Sequence, residues 1–270
     1  MKLAKFLFIA LLLISCSNDD SLSENNTKTS ILIKEINANT YNSSVSNGLK
    51  TTFEYDSKQR LTKKTGGYIY MSASTGYSGF YTNEVYTSLT YQNNTVVIEN
   101  FSTSPTFTVP KETKIVTLNS SNQIQTKEVP SLVSTYKLKK LIYTYSQNRI
   151  VKIITTFPNI PYNAADPNDY ILTYEENFDY DSNGNLTKSE YFEQHNGVNK
   201  GEKIIRTFED YDNSENPFKK LQLLDDFFYR SISKNNFRKV TVLQYMNDEL
   251  SSRNTSTWTF SYDTKGQIII

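Results

Sequence analysis

The sequence has very few of the residues on which most catalytic and metal sites depend. Only one of its 270 residues is a cysteine, Cys16, and only one is a histidine, His195. A single thiol excludes disulfides within the chain and zinc sites built on several thiolates, and a single imidazole excludes metal sites built on two histidines. The sequence also lacks a phosphate-binding loop, a dinucleotide fingerprint and a nucleophile elbow. We therefore expect no catalytic residue, no bound metal and no cofactor.

An excess of charge of either sign is also missing. The chain has 29 lysines and arginines against 28 aspartates and glutamates. Residues 1–15 carry two of the lysines and no acidic residue, which leaves 27 basic and 28 acidic residues in the remainder. A protein that holds nucleic acid by its phosphates normally presents a basic face. We therefore expect no nucleic-acid partner.

No apolar run in the sequence is long enough to cross a membrane. The longest run follows Met1, Lys2 and Lys5 and covers nine residues, 6–14, whereas a membrane-spanning helix needs about 20. A short apolar segment behind a basic start is typical of a signal peptide. We therefore predict that residues 1–15 form a signal helix that targets the chain.

The apolar segment ends in Leu13-Ile14-Ser15-Cys16, where a small residue precedes the only cysteine. This pattern resembles the lipobox of bacterial lipoproteins. The resemblance implies that Cys16 is diacylated and that the chain is cut before it, so that the membrane is a partner through the lipid anchor. Residues 16–29 are polar and show no periodicity, which predicts a lipidated, flexible tether of about 20 Å.

Two acidic residues, Asp19 and Asp20, stand just after the cysteine. They resemble the acidic export signal that sends lipoproteins of the Bacteroidota to the outer face of the outer membrane. The resemblance implies an outer-membrane, lipid-anchored protein whose domain faces the cell exterior. The alternative interpretation is a solvated linker with incidental charges.

A short pattern recurs along the rest of the chain: an apolar residue, a tyrosine two positions later, a polar turn and then an aliphatic residue. Eight passes can be followed, and they begin at Phe53, Leu89, Val116, Tyr143, Phe178, Phe208, Leu243 and Phe260. The pass at Val116 lacks the tyrosine, and in the pass at Phe208 the tyrosine comes three positions later. Within each pass apolar and polar residues alternate, which puts one side of a strand on a core and the other in water. Turn residues such as Asn183-Gly184 tolerate a positive φ. Each pass therefore predicts a β-hairpin.

Successive hairpins joined by short connections predict an antiparallel meander. We expect an all-β fold, in which an antiparallel β-meander of repeated hairpins forms a curved sheet or a partial barrel. One repeat-containing β domain would cover residues 30–270.

The repeat carries a family resemblance. Phe178-Asp179-Tyr180-Asp181, followed by Gly184 and Leu186, resembles the tyrosine-aspartate repeat of Rhs-type and related cell-surface proteins. Residues 211–218, which read Tyr-Asp-Asn-Ser-Glu-Asn-Pro-Phe, are similar to a motif of uncharacterised Bacteroidota lipoproteins. The resemblance covers residues from about 50 to 270. It implies a β fold and an envelope location, and it implies no particular activity.

The turn between Asp179 and Glu190 matches the calcium loop of an EF-hand at its ligand positions. An EF-hand needs helices on both sides, whereas the residues around this loop alternate as strands do. A glycine-containing hairpin is the interpretation that we favour, and calcium binding is the alternative.

Two further segments stand out. Four glycines, at positions 66, 67, 76 and 79, cluster among tyrosines 68, 70, 77 and 81, which indicates a long irregular loop with exposed rings. This loop is the first candidate for a contact surface, and a mobile connection between two strands is the alternative. Residues 218–229 partly fit a helical stripe after Pro217, which predicts a short helix that plugs an open end of the sheet. A docking helix for another envelope protein is the alternative.

Two functional hypotheses follow. The first is a non-catalytic, membrane-anchored envelope lipoprotein whose β domain binds or scaffolds an unknown protein or glycan ligand. The second is a surface glycan hydrolase, because such an enzyme needs only two carboxylates. Three acidic pairs are candidates for that chemistry: Asp179 with Asp181, Asp210 with Asp212, and Asp225 with Asp226.

Overall fold

The computed structural model describes residues 31–38, 49–73, 76–130, 138–264 and 268–269. Fourteen antiparallel strands follow one another across a single sheet in the order in which they occur in the chain. They are β1 (Glu35–Ala38), β2 (Leu49–Tyr55), β3 (Leu61–Ala73), β4 (Gly76–Gln92), β5 (Thr95–Ser102), β6 (Thr113–Leu118), β7 (Ile124–Val129), β8 (Lys139–Ser146), β9 (Arg149–Thr156), β10 (Leu172–Tyr180), β11 (Leu186–His195), β12 (Val198–Tyr211), β13 (Phe237–Met246) and β14 (Glu249–Thr257). A separate pair, β15 (Ser261–Tyr262) and β16 (Ile268–Ile269), follows. The predicted all-β meander is confirmed.

Three hairpin turns of the repeat are capped by an aspartate or asparagine side chain. Asp56 Oδ1 accepts hydrogen bonds from the backbone N–H groups of Lys58 and Arg60, at 2.9 and 2.8 Å. Asn119 and Asp181 cap their own turns in the same way. These bonds satisfy turn N–H groups and favour chain reversal. In the turn that Asp181 caps, Gly184 has a φ of +91°, as its glycine predicts.

The tyrosine of the repeat has a structural role. In five passes the tyrosine hydroxyl donates a hydrogen bond to a backbone carbonyl, which in four of them belongs to the aliphatic residue that follows an earlier hairpin turn. The pairs are Tyr55 to Ile33, Tyr91 to Leu61, Tyr145 to Ile124, Tyr180 to Ile150 and Tyr211 to Leu186. The hydroxyl of Tyr262, in the eighth pass, donates to Asp212 Oδ2 instead. A half-buried phenol needs such a partner. The third pass has Leu118 at this position, which has no hydroxyl, so this pass cannot make the bond.

The core is a column of residues from successive passes. The aliphatic residue that follows each of the first five turns is almost completely buried, and these residues are Leu61, Val96, Ile124, Ile150 and Leu186. Aromatic side chains from the preceding strands, including Phe53 and Phe178, pack into the same cluster. Burial of this apolar area stabilises the domain at roughly 25 cal/mol per Å².

Between β12 and β13 the chain leaves the sheet and forms a small helical insert, residues 212–236. It contains 3₁₀ helices at Pro217–Leu221 and Asp225–Phe227 and an α-helix, α1, at Phe228–Ile232. Asn216 organises the insert, because it accepts a hydrogen bond from the N–H of Phe218 and donates to the carbonyls of Arg230 and Ser233. The short helix predicted over residues 218–229 is found in part: a 3₁₀ helix begins at Pro217, but the α-helix begins only at Phe228.

The insert shows that the sheet is curved. Phe227 contacts Phe53 on β2 with ring centroids 5.6 Å apart, and its neighbour Phe228 contacts Phe178 on β10 at 6.1 Å. In a flat sheet, β2 and β10 would lie about 38 Å apart, because neighbouring strands are spaced by about 4.8 Å. The sheet therefore wraps around the insert, which lies on its concave face. In the described residues β1 and β14 are the two edges, so the sheet is curved and open.

Two passes of the repeat differ from the expectation. In the sixth pass Tyr211 follows Phe208 by three residues instead of two, and Asp210 between them has a φ of +58° although the register of β12 with β13 does not shift. Phe218 then lies in a 3₁₀ helix and not in a strand, because the insert interrupts this hairpin. In the seventh pass the turn that joins β13 to β14 lies at the opposite end of the strands from the other turns of the repeat, and Leu250 is 56% exposed there.

The predicted signal helix, Cys16 and the tether lie outside the described residues. Among the residues that are described, no helix has the length and apolar character needed to cross a bilayer.

Candidate functional site

The concave face contains a cavity of about 690 Å³ between the strands β2–β6 and residues 223–227 of the insert. Pockets that hold small ligands have volumes of about 300–1,000 Å³. Apolar residues form much of its wall, and charged residues from β3, from β6 and the residues just before it, and from the insert converge on its floor. We call this space the main cavity.

Three lysines project from the concave face toward the insert. On the neighbouring strand, the residue directly opposite Lys64 is Phe53, the one opposite Lys114 is Ile98 and the one opposite Lys127 is Val116. Directly opposed residues of antiparallel strands lie on the same face of the sheet. All three lysines therefore share the face of the buried core, and their side chains are only 13, 19 and 6% exposed.

Two adjacent carboxylates of the insert meet these lysines. Asp225 accepts a hydrogen bond from Lys114 Nζ at 2.9 Å and another from Lys127 Nζ. Asp226 Oδ2 accepts from Lys64 Nζ at 2.5 Å. The carboxylate side chains are 60 and 67% exposed, so they face the open cavity while the lysines lie behind them.

The ion pairs keep this floor charged. Burial by itself favours the neutral form of Asp225, but the ammonium groups of Lys127 and Lys114 outweigh it and hold the pKa of Asp225 below its ordinary value. Burial also opposes the charge of Lys114, yet the carboxylates of Asp225 and Glu112 raise its pKa overall. Both partners are therefore ionised at neutral pH.

Tyr68 and Tyr81 form an aromatic wall of the main cavity. Their rings meet edge to face with centroids 5.4 Å apart, and Tyr68 is 51% exposed. The Tyr81 hydroxyl donates to the Lys50 carbonyl at 2.5 Å and contacts Thr51 Oγ1 at 2.8 Å. Gly66 makes room for this hydroxyl, because a Cβ there would lie 2.2 Å from it. Burial raises the pKa of Tyr81.

A second, smaller cavity of about 220 Å³ lies along β8–β11. Its lining includes Tyr143, Tyr191 and Tyr229, together with Glu176 and Asp225. Asp225 also lines the main cavity, so the two spaces lie on either side of this carboxylate. Burial raises the pKa of each of the three tyrosines, which keeps their hydroxyls protonated.

Of the three acidic pairs predicted from the sequence, only Asp225 with Asp226 reaches a cavity. Asp179 binds Lys188 at 3.0 Å and Asp210 binds Arg238 at 2.6 Å. Asp181 and Asp212 both cap backbone N–H groups. These four carboxylates are therefore engaged at turns or strand edges and do not form a site.

The calcium-loop motif is the hairpin between β10 and β11, with strands on both sides. The Asp181 carboxylate accepts a hydrogen bond from the backbone N–H of Asn185 within its own turn. Asp179 and Glu190 both form ion pairs with Lys188, so the lysine ammonium takes the place that a cation would need between them. Within the described ranges, no three histidine, cysteine, aspartate or glutamate side chains form a metal-binding group.

His195 is the last residue of β11. Its ring stacks on Tyr170 with a centroid distance of 3.7 Å, and Nε2 contacts Glu193 Oε1 at 2.7 Å. It does not line either cavity. The packing explains this histidine without a catalytic role.

The tyrosine- and glycine-rich segment is not the irregular loop that the sequence suggested. It belongs to the long hairpin of β3 and β4, with a bulge between Thr65 and Gly67. Tyr68 and Tyr81 do contribute to the main cavity, whereas the side chains of Tyr70 and Tyr77 lie outside the described part of the structure.

Sequence reasoning missed the three lysines. A charged residue at a core-facing strand position would have indicated them. For two of the three, however, a β-bulge just after the turn shifts the alternation of inward and outward residues by one position. As a result the residue three places after the buried aliphatic residue faces inward, which is Lys64 after Leu61 and Lys127 after Ile124. A strict period of two assigns Lys63 to the core instead.

In structural terms, the fold and the site define an open antiparallel meander with a concave cavity. No protein-family model matches the sequence, and no curated protein matches it. The structure is similar to that of a porin-like protein from Bacteroides uniformis ATCC 8492, with 13% identity, a TM-score of 0.48 and coverage of 87% of this chain and 85% of that chain. A porin-like protein from Bacteroides vulgatus ATCC 8482 shows 10% identity, a TM-score of 0.44 and coverage of 88 and 90%. Because both TM-scores are below 0.5, no function or location follows from them.

Proposed function

We propose that this protein is a lipid-anchored lipoprotein of the outer membrane whose β domain binds a ligand in the main cavity without converting it chemically. The observation that carries the proposal is the cavity itself, which is large enough for a ligand and has charged groups on its floor and tyrosines in its wall. Such a combination of apolar wall and few polar groups is the usual form of a ligand site.

The state of the carboxylates favours binding over hydrolysis. A glycoside hydrolase needs one carboxyl group that is protonated and one that is ionised. Each acidic side chain that lines the main cavity, namely Glu112, Asp225 or Asp226, is paired with a lysine. In addition, the pKa of Asp225 is lowered, which is opposite to the shift that a general acid requires.

The location rests on the sequence. The Leu13-Ile14-Ser15-Cys16 motif supports lipidation at Cys16, and the acidic pair Asp19 and Asp20 supports export to the outer face. The repeat resembles those of cell-surface proteins, which supports the same location. A surface position would expose the cavity to ligands outside the cell.

Ligand binding is tested by applying the full-length protein, purified from membranes in detergent, to arrays of glycans and peptides. We expect the wild type to bind a ligand and Tyr68→Ala to lose it. Tyr162→Ala, at a residue 46% exposed and outside the cavity lining, is the matched control and should keep binding. If Tyr68→Ala and the wild type bind alike, the main cavity is not the site.

Hydrolysis is tested by incubating every bound glycan with the protein and measuring released reducing ends. The proposal expects none. Release that disappears in Asp225→Asn would establish the hydrolase alternative instead.

The location is tested by treating intact cells with a protease and detecting the protein by immunoblot. We expect loss of the wild-type band and protection of an Asp19→Ala/Asp20→Ala variant. Protection of the wild type would place the domain in the periplasm. Cys16→Ala should abolish labelling with a fatty acid.

A further inference from the structure

We infer that the ligand is a neutral oligosaccharide that lies across Asp225, with one part in the main cavity and the next in the smaller cavity. This inference rests on the proposed function and adds the chemical class and the extended form of the ligand. The observation behind it is that one carboxylate lines two cavities with tyrosines on each side.

The charge arrangement selects a neutral ligand. A ligand that enters the main cavity meets the exposed carboxylates of Asp225 and Asp226 before the buried lysines behind them. An anion is repelled by these carboxylates. A cation has to compete with ammonium groups that already bind at 2.9 Å or less.

Hydroxyl groups fit the same floor. An ionised carboxylate has about four acceptor positions on its two oxygens, and the lysine at Asp226 Oδ2 takes only one of them. Sugar hydroxyls donate to the remaining positions without displacing the lysine. A purely apolar ligand would remove water from both carboxylates without replacing their hydrogen bonds, which is unfavourable.

The aromatic residues support a sugar ligand on both sides of Asp225. Tyr68 and Tyr81 line the main cavity, and Tyr191 and Tyr229 line the smaller one, where Tyr143 is buried in the core and not available to a ligand. A tyrosine ring has an apolar face and a polar hydroxyl, so it can pack on the C–H face of a sugar ring and stay hydrogen-bonded at its rim. Two such subsites require at least two linked sugar units.

The test is isothermal titration of the full-length protein in detergent with neutral oligomers of glucose, mannose and galactose that contain one to six units. We expect at least one series to bind, with affinity that rises by about tenfold or more between the monosaccharide and the longer oligomers. Tyr191→Ala should weaken binding of the longer oligomers and so remove this gain with length. Tyr68→Ala should weaken every member of the series.

Thermal unfolding of each variant establishes that it is folded, and Tyr162→Ala serves as the control that keeps both affinities. Equal affinity for monomer and oligomer, or tighter binding of charged polygalacturonate or chitosan oligomers, would overturn the inference. Absence of any sugar binding would also overturn it. In that case a peptide that binds on the array and is lost in Tyr68→Ala would still support the proposed function, so the two failures can be told apart.

Discussion

The hydroxyl of Tyr180 donates a hydrogen bond of 2.9 Å to the carbonyl of Ile150, thirty residues earlier in the chain. Tyr180 is the last residue of β10, the first strand of its hairpin, and Ile150 lies at the start of β9, the second strand of the hairpin before it. The bond therefore joins two successive repeats, and the same relationship recurs at Tyr91 and Tyr145. It gives a physical reason for the tyrosine in the repeat.

Tyr180→Phe removes this bond and leaves the Ile150 carbonyl without its tyrosine donor. We expect a loss of about 1–2 kcal/mol in the free energy of unfolding, measured by urea denaturation. Tyr162→Phe alters a tyrosine that is 46% exposed and should change stability by less than about 0.5 kcal/mol. Equal stability of Tyr180→Phe and wild type would show that the hydrogen bond contributes nothing.

Gly66→Ala should be much more harmful than Gly197→Ala. Both glycines have a positive φ, +98° and +78°, so alanine costs about 1 kcal/mol at either site through backbone strain. Only at Gly66 does the new Cβ collide with the Tyr81 hydroxyl and the Lys50 carbonyl, while at Gly197 it meets nothing within 4 Å. Urea denaturation measures the stabilities, and we expect Gly66→Ala alone also to weaken ligand binding. Similar losses at both sites would contradict the close packing at Gly66.

The ion pair between Asp225 and the lysines predicts a pH dependence. The pKa of Asp225 is lowered in the folded state from an ordinary value of 3.8. Its contribution to stability is therefore present above about pH 4 and is lost as the pH falls through the folded-state pKa. Asp225→Asn should lower stability at pH 7 and have a smaller effect at pH 3.

The measurement is urea denaturation of wild type and Asp225→Asn at the two pH values. Asp179→Asn is the matched control, because Asp179 also pairs with a lysine, Lys188, but lines neither cavity. A difference between wild type and Asp225→Asn that stays constant from pH 7 to pH 3 would refute the assigned pKa shift.

The guanidinium of Arg230 packs over the ring of Trp258, the only tryptophan of the chain, in a cation–π contact. This guanidinium lies 4.3 Å from the ring centroid of Trp258 and 4.5 Å from that of Phe237, and Nη1 donates to the Phe237 carbonyl at 3.1 Å. Burial lowers the pKa of Arg230 to about 10. We expect Arg230→Ala to cost about 1–2 kcal/mol of stability.

Fluorescence reports this change directly, because Trp258 is the single tryptophan. In Arg230→Ala its emission should move to longer wavelength as the ring becomes more exposed. Arg253→Ala, at an exposed position of β14, should leave the spectrum unchanged. An unshifted spectrum in Arg230→Ala would mean that other contacts hold Trp258.

Much of the fold follows from local patterns. The alternation around Phe53 and Phe178 predicts strands, and Asp181 with Gly184 predicts the turn between β10 and β11, because these properties depend on neighbours in the chain. The helical stripe after Pro217 is equally local. The positive φ of Asp210 and the position of the β13–β14 turn at the other end of the strands do not follow from local patterns, since they depend on how the strands and the insert pack.

The candidate site was much less accessible to sequence reasoning. Asp225 with Asp226 was one of three acidic pairs with similar local context, and nothing in the chain near them indicates Lys64, Lys114 or Lys127. The lysine and aspartate of the most distant pair are 162 residues apart in sequence. Only the folded sheet brings them within hydrogen-bonding distance.

The sequence by itself determined the strands, the turns and the repeat, because side-chain alternation and turn chemistry act over a few residues. Tertiary structure alone decided the curvature of the sheet, the place of the insert and the charged floor of the main cavity. The physical reason is that one insert packs against both β2 and β10, and the sheet has to bend to bury the apolar side chains on all sides of it. That bend creates the concave face on which the cavity lies.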